Sequence, residues 1–196
     1  MISVLLPDNF NQEVQRAIEV LRAGGTILYP TDTIWGIGCD ATNSRAVEKI
    51  YKLKQRTESK SLIVLLDSIE KLHLYVEKVP EITFDLLSSI NTPLTIIYSN
   101  ARNLAKNVIA SDMTIAIRIA REPFCQELIK SFKKPIVSTS ANFSNEPTAL
   151  TFNKIPKEIS TKVDYVVNLY QDRLNQTKPS TIIRLYESGE YDVIRK

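Results

Sequence analysis

One histidine and two cysteines among 196 residues remove several chemistries at once. His73 alone supports neither an imidazole-based triad nor a histidine-rich metal site. Cys39 and Cys125 are too few for a disulfide framework and sit in no metal-ligand spacing, so both are expected as buried thiols in a reducing compartment. Glycine is scarce too, at five residues, and no Walker A loop exists. Gly36-Ile37-Gly38 is followed by Ala41 where a dinucleotide fingerprint needs its third glycine. The pair is expected to serve a tight turn or a close backbone approach instead. No apolar run nears the roughly 20 residues of a membrane span. The opening MISVLLPDNFNQE has no basic region leading into a long apolar one. These absences predict a soluble, cytoplasmic chain with no membrane partner. A net charge of +3 permits anionic ligands without demanding nucleic acid.

What is present reads as α/β. With 43% apolar residues the chain can bury one ordinary core, and no linker-like tract or repeat divides it, so a single domain over residues 1–196 is expected, with no second C-terminal domain. Asn9 is placed to cap a helix in which Val14, Ala17, Ile18 and Leu21 recur at helical spacing before Gly24-Gly25 stops it. TILYP follows as a strand. Asn43 is placed to cap a second helix ending near Leu53. Residues 54–60, KQRTESK, read as a charged loop feeding SLIVLL, a run typical of a strand covered on both faces. Helices are expected over Ile69–Val76, Glu81–Ser89 and Pro123–Phe132, and strands at Leu94–Tyr98, Thr114–Ile119 and PIVS. KVDYVVNL, STIIRLY and YDVIRK read as closing strands, the last pair joined by a turn at Glu187–Glu190. Asn100–Asp112 reads as a long loop or crossover. The fold class is a twisted mixed sheet flanked by helices.

Polar residues gather at the ends of the apolar strands: Thr31-Asp32-Thr33, Arg118, Ser138 to Asn142, and Ser180-Thr181. Strand ends are where open α/β sheets bind ligands, although the same residue types also build turns and caps. Lys54 and Arg56, two apart in a segment read as extended, would project to one side and grip a polyanion, Lys as a point charge and Arg as a fork. By charge alone the segment is equally a solvated basic loop.

In order, YPTDTIWGIGCD, KLKQR, TIAIR, PIVSTSAN and PSTII resemble the YrdC-like family, and within it the short bacterial threonylcarbamoyl-AMP synthases of the TsaC type. The resemblance runs from about Gly24 to Arg195. It places the family's Lys-x-Arg and Ser-x-Asn set on Lys54, Arg56, Ser140 and Asn142, implying a catalytic role for these four. The YciO-like sister group lacks the set. The resemblance further implies a nucleotide site of Lys54, Arg56, Thr114, Ser140, Asn142, Thr148 and Arg195, and a threonine site of Thr31, Arg118, Ser138 and Ser180. Thr57 stands where many relatives carry proline, and Thr92-Pro93-Leu94-Thr95 where they carry Gly-Pro-x-Thr.

The activity so implied joins ATP, L-threonine and bicarbonate into threonylcarbamoyl-AMP and pyrophosphate, the activated intermediate for N6-threonylcarbamoyladenosine in transfer RNA. The enzyme class is nucleotidyltransferase. Mg²⁺ is expected with ATP, its ligands unassigned, and the partners are tRNA-modification proteins that transfer the threonylcarbamoyl group. Two other readings stand beside it: a module of the same fold that binds double-stranded or transfer RNA, and a YciO-like protein with another substrate.

Overall fold

The structure, a computed structural model, describes residues 6–55, 62–144, 146–173 and 179–196. Helix α1, Phe10–Arg22, turns Phe10, Val14, Ala17, Ile18 and Leu21 inward. It ends where Gly24 adopts a φ of 73° and the N–H groups of Gly24 and Gly25 bond back to Leu21 and Val20. Asn9 precedes the helix without capping it; its side chain is turned to the Asn168 carbonyl, to which Nδ2 donates at 3.0 Å. Strand β1 is Ile27–Tyr29 and β2 is Gly36–Gly38. Helix α2, Ser44–Leu53, is capped as expected by Asn43, whose side chain accepts from the N–H groups of Arg45 and Ala46.

Strand β3, Ile63–Leu66, leads to a 3-10 turn at Ile69–Lys71 and the short α3, Leu72–Tyr75, where one helix was expected. Then come α4, Ile82–Ser89, β4, Leu94–Tyr98, β5, Ile115–Ile119, α5, Pro123–Phe132, and β6, Ile136–Ser140. A 3-10 turn at Phe152–Lys154 and α6, Lys157–Lys162, precede β7, Tyr165–Val166. Strands β8, Thr181–Leu185, and β9, Tyr191–Arg195, close the chain as a hairpin.

The strand expected from KVDYVVNL shrinks to the two residues of β7. Side chains take backbone groups at both ends of the β1/β7 pairing: Asp164 accepts from the Thr26 N–H just before β1 at 2.7 Å, and buried Glu13 accepts from the Asn168 N–H just after β7 at 2.7 Å. Conversely, Gly36–Gly38, read as a turn or close approach, is a strand. A Cβ on Gly38 would lie 2.5 Å from the Val137 carbonyl and 2.7 Å from the Tyr29 ring, so the close approach is real and the turn is not.

Among the described residues the strands form one sheet in the order β7-β1-β2-β6-β3-β5-β4-β8-β9. The pairs β1/β7, β3/β5 and β4/β8 are parallel and the rest antiparallel, giving a mixed sheet. Alternation along the strands assigns its two faces. Leu28, Ile37, Val64, Leu66, Ile96, Ile117 and Val137 share one apolar cluster with Ala46, Val47 and Ile50 of α2. Ile27, Tyr29, Leu65 and Ile136 share the other with α1 and α5. Helices α1 and α5 reach only part of that second face. Beyond them, two residues further along each strand, it continues as Ser138 on β6, Ile63 on β3, and Arg118 and Ala116 on β5. The register sets Ser138 opposite Ile63 and Ile63 opposite Ala116, a row that becomes the floor of a cleft.

Candidate nucleotide and amino-acid site

The uncovered half-face is a cleft of about 320 Å³. Ser138, Ile63, Ala116 and Ile97 floor it, the β1–β2 connection walls one side with Thr31 and with Thr33 to Gly36, and Ser180, Ile182, Ile194 and Arg195 wall the other. Thr31 owes its place to a local turn. Its hydroxyl donates to the Ile34 carbonyl at 2.6 Å and accepts from the Thr33 N–H at 3.1 Å, so the loop after β1 is folded by the residue expected to bind. Gly36 keeps the wall thin: a Cβ there would lie 3.1 Å from both the Ser138 hydroxyl and the Thr31 methyl.

Two cations meet at the cleft. Arg118 is 4% exposed, its guanidinium 3.1 Å from Asp32 and 3.3 Å from the Thr33 hydroxyl. Arg195 reaches in because of a bulge in β9. Ile182 pairs with Arg195 and Ile183 with Val193, leaving Ile194 unpaired, and both Ile194 and Arg195 line the cleft. Arg195 is an exposed residue overall, but its guanidinium is partly buried against the Ser180 carbonyl, at 2.8 and 3.1 Å. Burial, and then the charge of Arg118, hold it below the usual arginine range. Two guanidiniums close enough to repel favour an anionic guest. Ser180 is itself fixed, its hydroxyl 2.8 Å from that of Thr95.

Lys54 departs from expectation. It was read as part of a polar loop in extended conformation, yet it is the C-cap of α2, 1% exposed, and followed by Gln55 in the left-handed region. Its ammonium donates to the backbone carbonyls of Ser140 and, at 2.6 Å, Asn142. A buried ammonium needs such acceptors, and these sit at the end of β6. Asn142 is buried, its Nδ2 donating to the Glu146 carbonyl at 2.6 Å. Arg56 lies outside the described residues.

The structure thus brings Thr31, Arg118, Ser138, Ser140, Thr148, Ser180 and Arg195 around one cleft. Lys54 and Asn142 stand behind Ser140, and neither lines the cleft. Thr114, just before β5 and two residues from the floor residue Ala116, does not line the cleft, and its hydroxyl donates to Asp112 at 2.6 Å. Thr33, named with its strand-end segment but given no role, lines the cleft, and so do Trp35, Gly36 and Ile194, which the sequence did not single out as binding residues. Position in the Thr-Asp-Thr segment pointed toward the first; a bulge leaves no sequence signal for the last. Among the described residues no group of three or more His, Cys, Asp or Glu could hold a metal ion. Asp32 is committed to Arg118 and does not line the cleft.

A sequence model of the Sua5, YciO and YrdC family, described as telomere recombination, matches residues 19–196. A threonylcarbamoyl-AMP synthase of Pseudoalteromonas translucida is 36% identical over 172 residues, 86% of this chain and 91% of that protein. The chain belongs to the Sua5/YciO/YrdC family. The fold of this family is also seen in E. coli YciO, with a TM-score of 0.81 and 25% identity over 94% of this chain and 89% of that one. P. abyssi Sua5 complexed with L-threonine superposes with a TM-score of 0.78 at 24% identity, over 88% of this chain and 50% of that one. Among the described residues of this family member, no helix is long and apolar enough to cross a membrane.

Proposed function

We propose that this chain is an L-threonylcarbamoyladenylate synthase, a nucleotidyltransferase that acts in the cytoplasm and supplies the intermediate for N6-threonylcarbamoyladenosine in transfer RNA. The observation that carries the reading is the single cleft in which two arginines, Arg118 and Arg195, meet the hydroxyls of a strand-end set. Family membership and the resemblance to named synthases give it a substrate.

In this reading Arg118 pairs with the threonine carboxylate, with Thr31, Ser138 and Ser180 around the amino acid. The amine attacks bicarbonate, forming a C–N bond and releasing water to leave a carbamate. A carbamate oxygen then attacks the α-phosphorus of ATP, and the bond to the pyrophosphate oxygen breaks. No protein nucleophile is needed, so positioning and charge stabilisation suffice. Arg195, Ser140 and Thr148 face the nucleotide from the cleft walls. Lys54 and Asn142 serve it by holding the end of β6, and Arg56 and Thr114 complete the proposed set. Magnesium is read as arriving with the triphosphate, since Mg²⁺ keeps most of its shell from phosphate and water. The product passes to the proteins that transfer threonylcarbamoyl to tRNA.

The test is incubation of the purified protein with MgATP, bicarbonate and each amino acid in turn, read by pyrophosphate release and mass spectrometry. Threonine-dependent pyrophosphate and an adenylate of the expected mass are the predicted result. Turnover of a different carbamoyl donor without threonine would instead identify a YciO-like activity.

A further inference from the structure

Asp32 stands behind the cleft. Its carboxylate lies 3.1 Å from the Arg118 guanidinium, with both side chains under 10% exposed (4% and 9%). Arg118 lines the cleft and Asp32 does not. The Asp32 charge also acts on Glu122 and Cys125, at the start of α5, and the Arg118 charge acts on Cys125 in the opposite sense.

Arg118 has a second tether from the same loop, the Thr33 hydroxyl at 3.3 Å, while its Nε has no hydrogen-bond partner. Asp32 likewise has no hydrogen-bonded partner on either oxygen apart from this ion pair. A buried guanidinium held at both terminal nitrogens, Nη2 by Asp32 and Nη1 by Thr33, with its Nε–H unspent, is a fork fixed in place, and a planar fork loses little on meeting a carboxylate. We infer that Asp32 is a positioning residue for amino-acid recognition: with Thr33 it fixes the two terminal nitrogens of Arg118 at the cleft, so that the remaining N–H groups of the guanidinium are held in place for the substrate carboxylate. The inference rests on the threonine reading above. It adds that the loop after β1 contributes an anion whose action on substrate passes wholly through Arg118.

The experiment is equilibrium titration of the full chain with L-threonine and, separately, with MgATP. Asp32→Asn keeps the volume and removes the charge; threonine binding should weaken at least tenfold and MgATP binding stay within twofold. In an Arg118→Ala background, Asp32→Asn should change threonine binding by less than twofold, because its route is already gone. A general packing role would lower both ligands and persist in that background. Threonine binding unchanged or tighter in Asp32→Asn, or a further loss in the Arg118→Ala background, overturns the inference. Should Asp32→Asn fail to fold, Asp32→Glu keeps the charge and displaces it, and a two- to fivefold loss confined to threonine is expected; no loss overturns it. A wild-type chain that does not bind L-threonine defeats the proposed function itself, and this inference with it. A wild type that binds normally beside an unaffected Asp32→Asn defeats this inference alone.

Discussion

The ammonium of Lys54, at the end of α2, hydrogen-bonds the backbone carbonyls of both Ser140 and Asn142, which lie more than eighty residues later in the chain. A cation expected to meet phosphate is thus built into the protein, gripping the strand end that faces the proposed nucleotide site. Lys54→Ala should consequently do two things. It should abolish threonine-dependent pyrophosphate release, and it should also destabilise the fold by about 2–4 kcal/mol, because two carbonyls lose a charged partner and a cavity opens. For a chain of this size that is on the order of 5–15 °C in melting temperature. A variant that is inactive at unchanged melting temperature would show that Lys54 contributes to catalysis without holding β6.

Two glycines two positions apart should respond differently. Gly38→Ala drives a methyl against the Val137 carbonyl, at 2.5 Å, and backbone must move, costing about 2–3 kcal/mol. Gly36→Ala meets the Ser138 hydroxyl and the Thr31 methyl at 3.1 Å, on the floor and wall of the cleft, and the Tyr29 ring at 3.4 Å, an ordinary contact. It should cost about 1 kcal/mol or less in stability while weakening amino-acid binding roughly tenfold, about 1.4 kcal/mol. Chemical denaturation separates the first effect from the second, and titration with threonine reads the latter.

Trp35 is the single tryptophan, 1% exposed, lining the cleft with its ring centroid 4.8 Å from that of Phe152. Any emission change on adding ligand is therefore assignable to this one position. Threonine or MgATP should shift its fluorescence, and Phe152→Ala should alter the baseline spectrum without removing the response. A silent titration alongside calorimetric binding would place the ligand away from this wall.

Glu122 caps α5 by accepting from the Cys125 N–H at 3.0 Å, while its other oxygen is buried without a hydrogen bond. Burial is the main reason its carboxyl is pushed up to about 7 from 4.5, with Asp32 adding to the rise and Arg173 opposing it. Because the folded state holds this proton more tightly than the unfolded chain does, the native state binds more protons between these values and stability falls as pH rises. The contribution is fully present below about pH 4.5 and is lost once pH passes about 7. At 1.36 kcal/mol per unit the loss is on the order of 3 kcal/mol. Glu122→Gln should abolish that part of the decline. Melting curves of the two proteins from pH 4.5 to 8 should diverge, the wild type falling more steeply; parallel curves would mean that Glu122 ionises normally.

Much of the architecture could be read from local pattern. Val14, Ala17, Ile18 and Leu21 repeat at helical spacing, and Leu94–Tyr98 and Pro123–Phe132 appear in the structure with the predicted bounds. Such elements are determined by periodicity and caps, which act within a few residues. The KVDYVVNL strand is shortened for the opposite reason: Glu13, from the other end of the chain, takes the Asn168 N–H, and Asp164 takes the Thr26 N–H beside β1.

The site divides in the same way. Sequence alone determined that cations and hydroxyls sit at the ends of apolar strands, and resemblance joined them into one expected set. Only the tertiary structure decided that Arg195 enters the cleft through a bulge, that Arg118 is held from behind by Asp32, and that Lys54 bonds backbone carbonyls. Each of these is a contact between residues far apart in the chain. A residue's charge is written in the sequence, but the groups that neutralise, aim or bury it depend on which strands lie side by side.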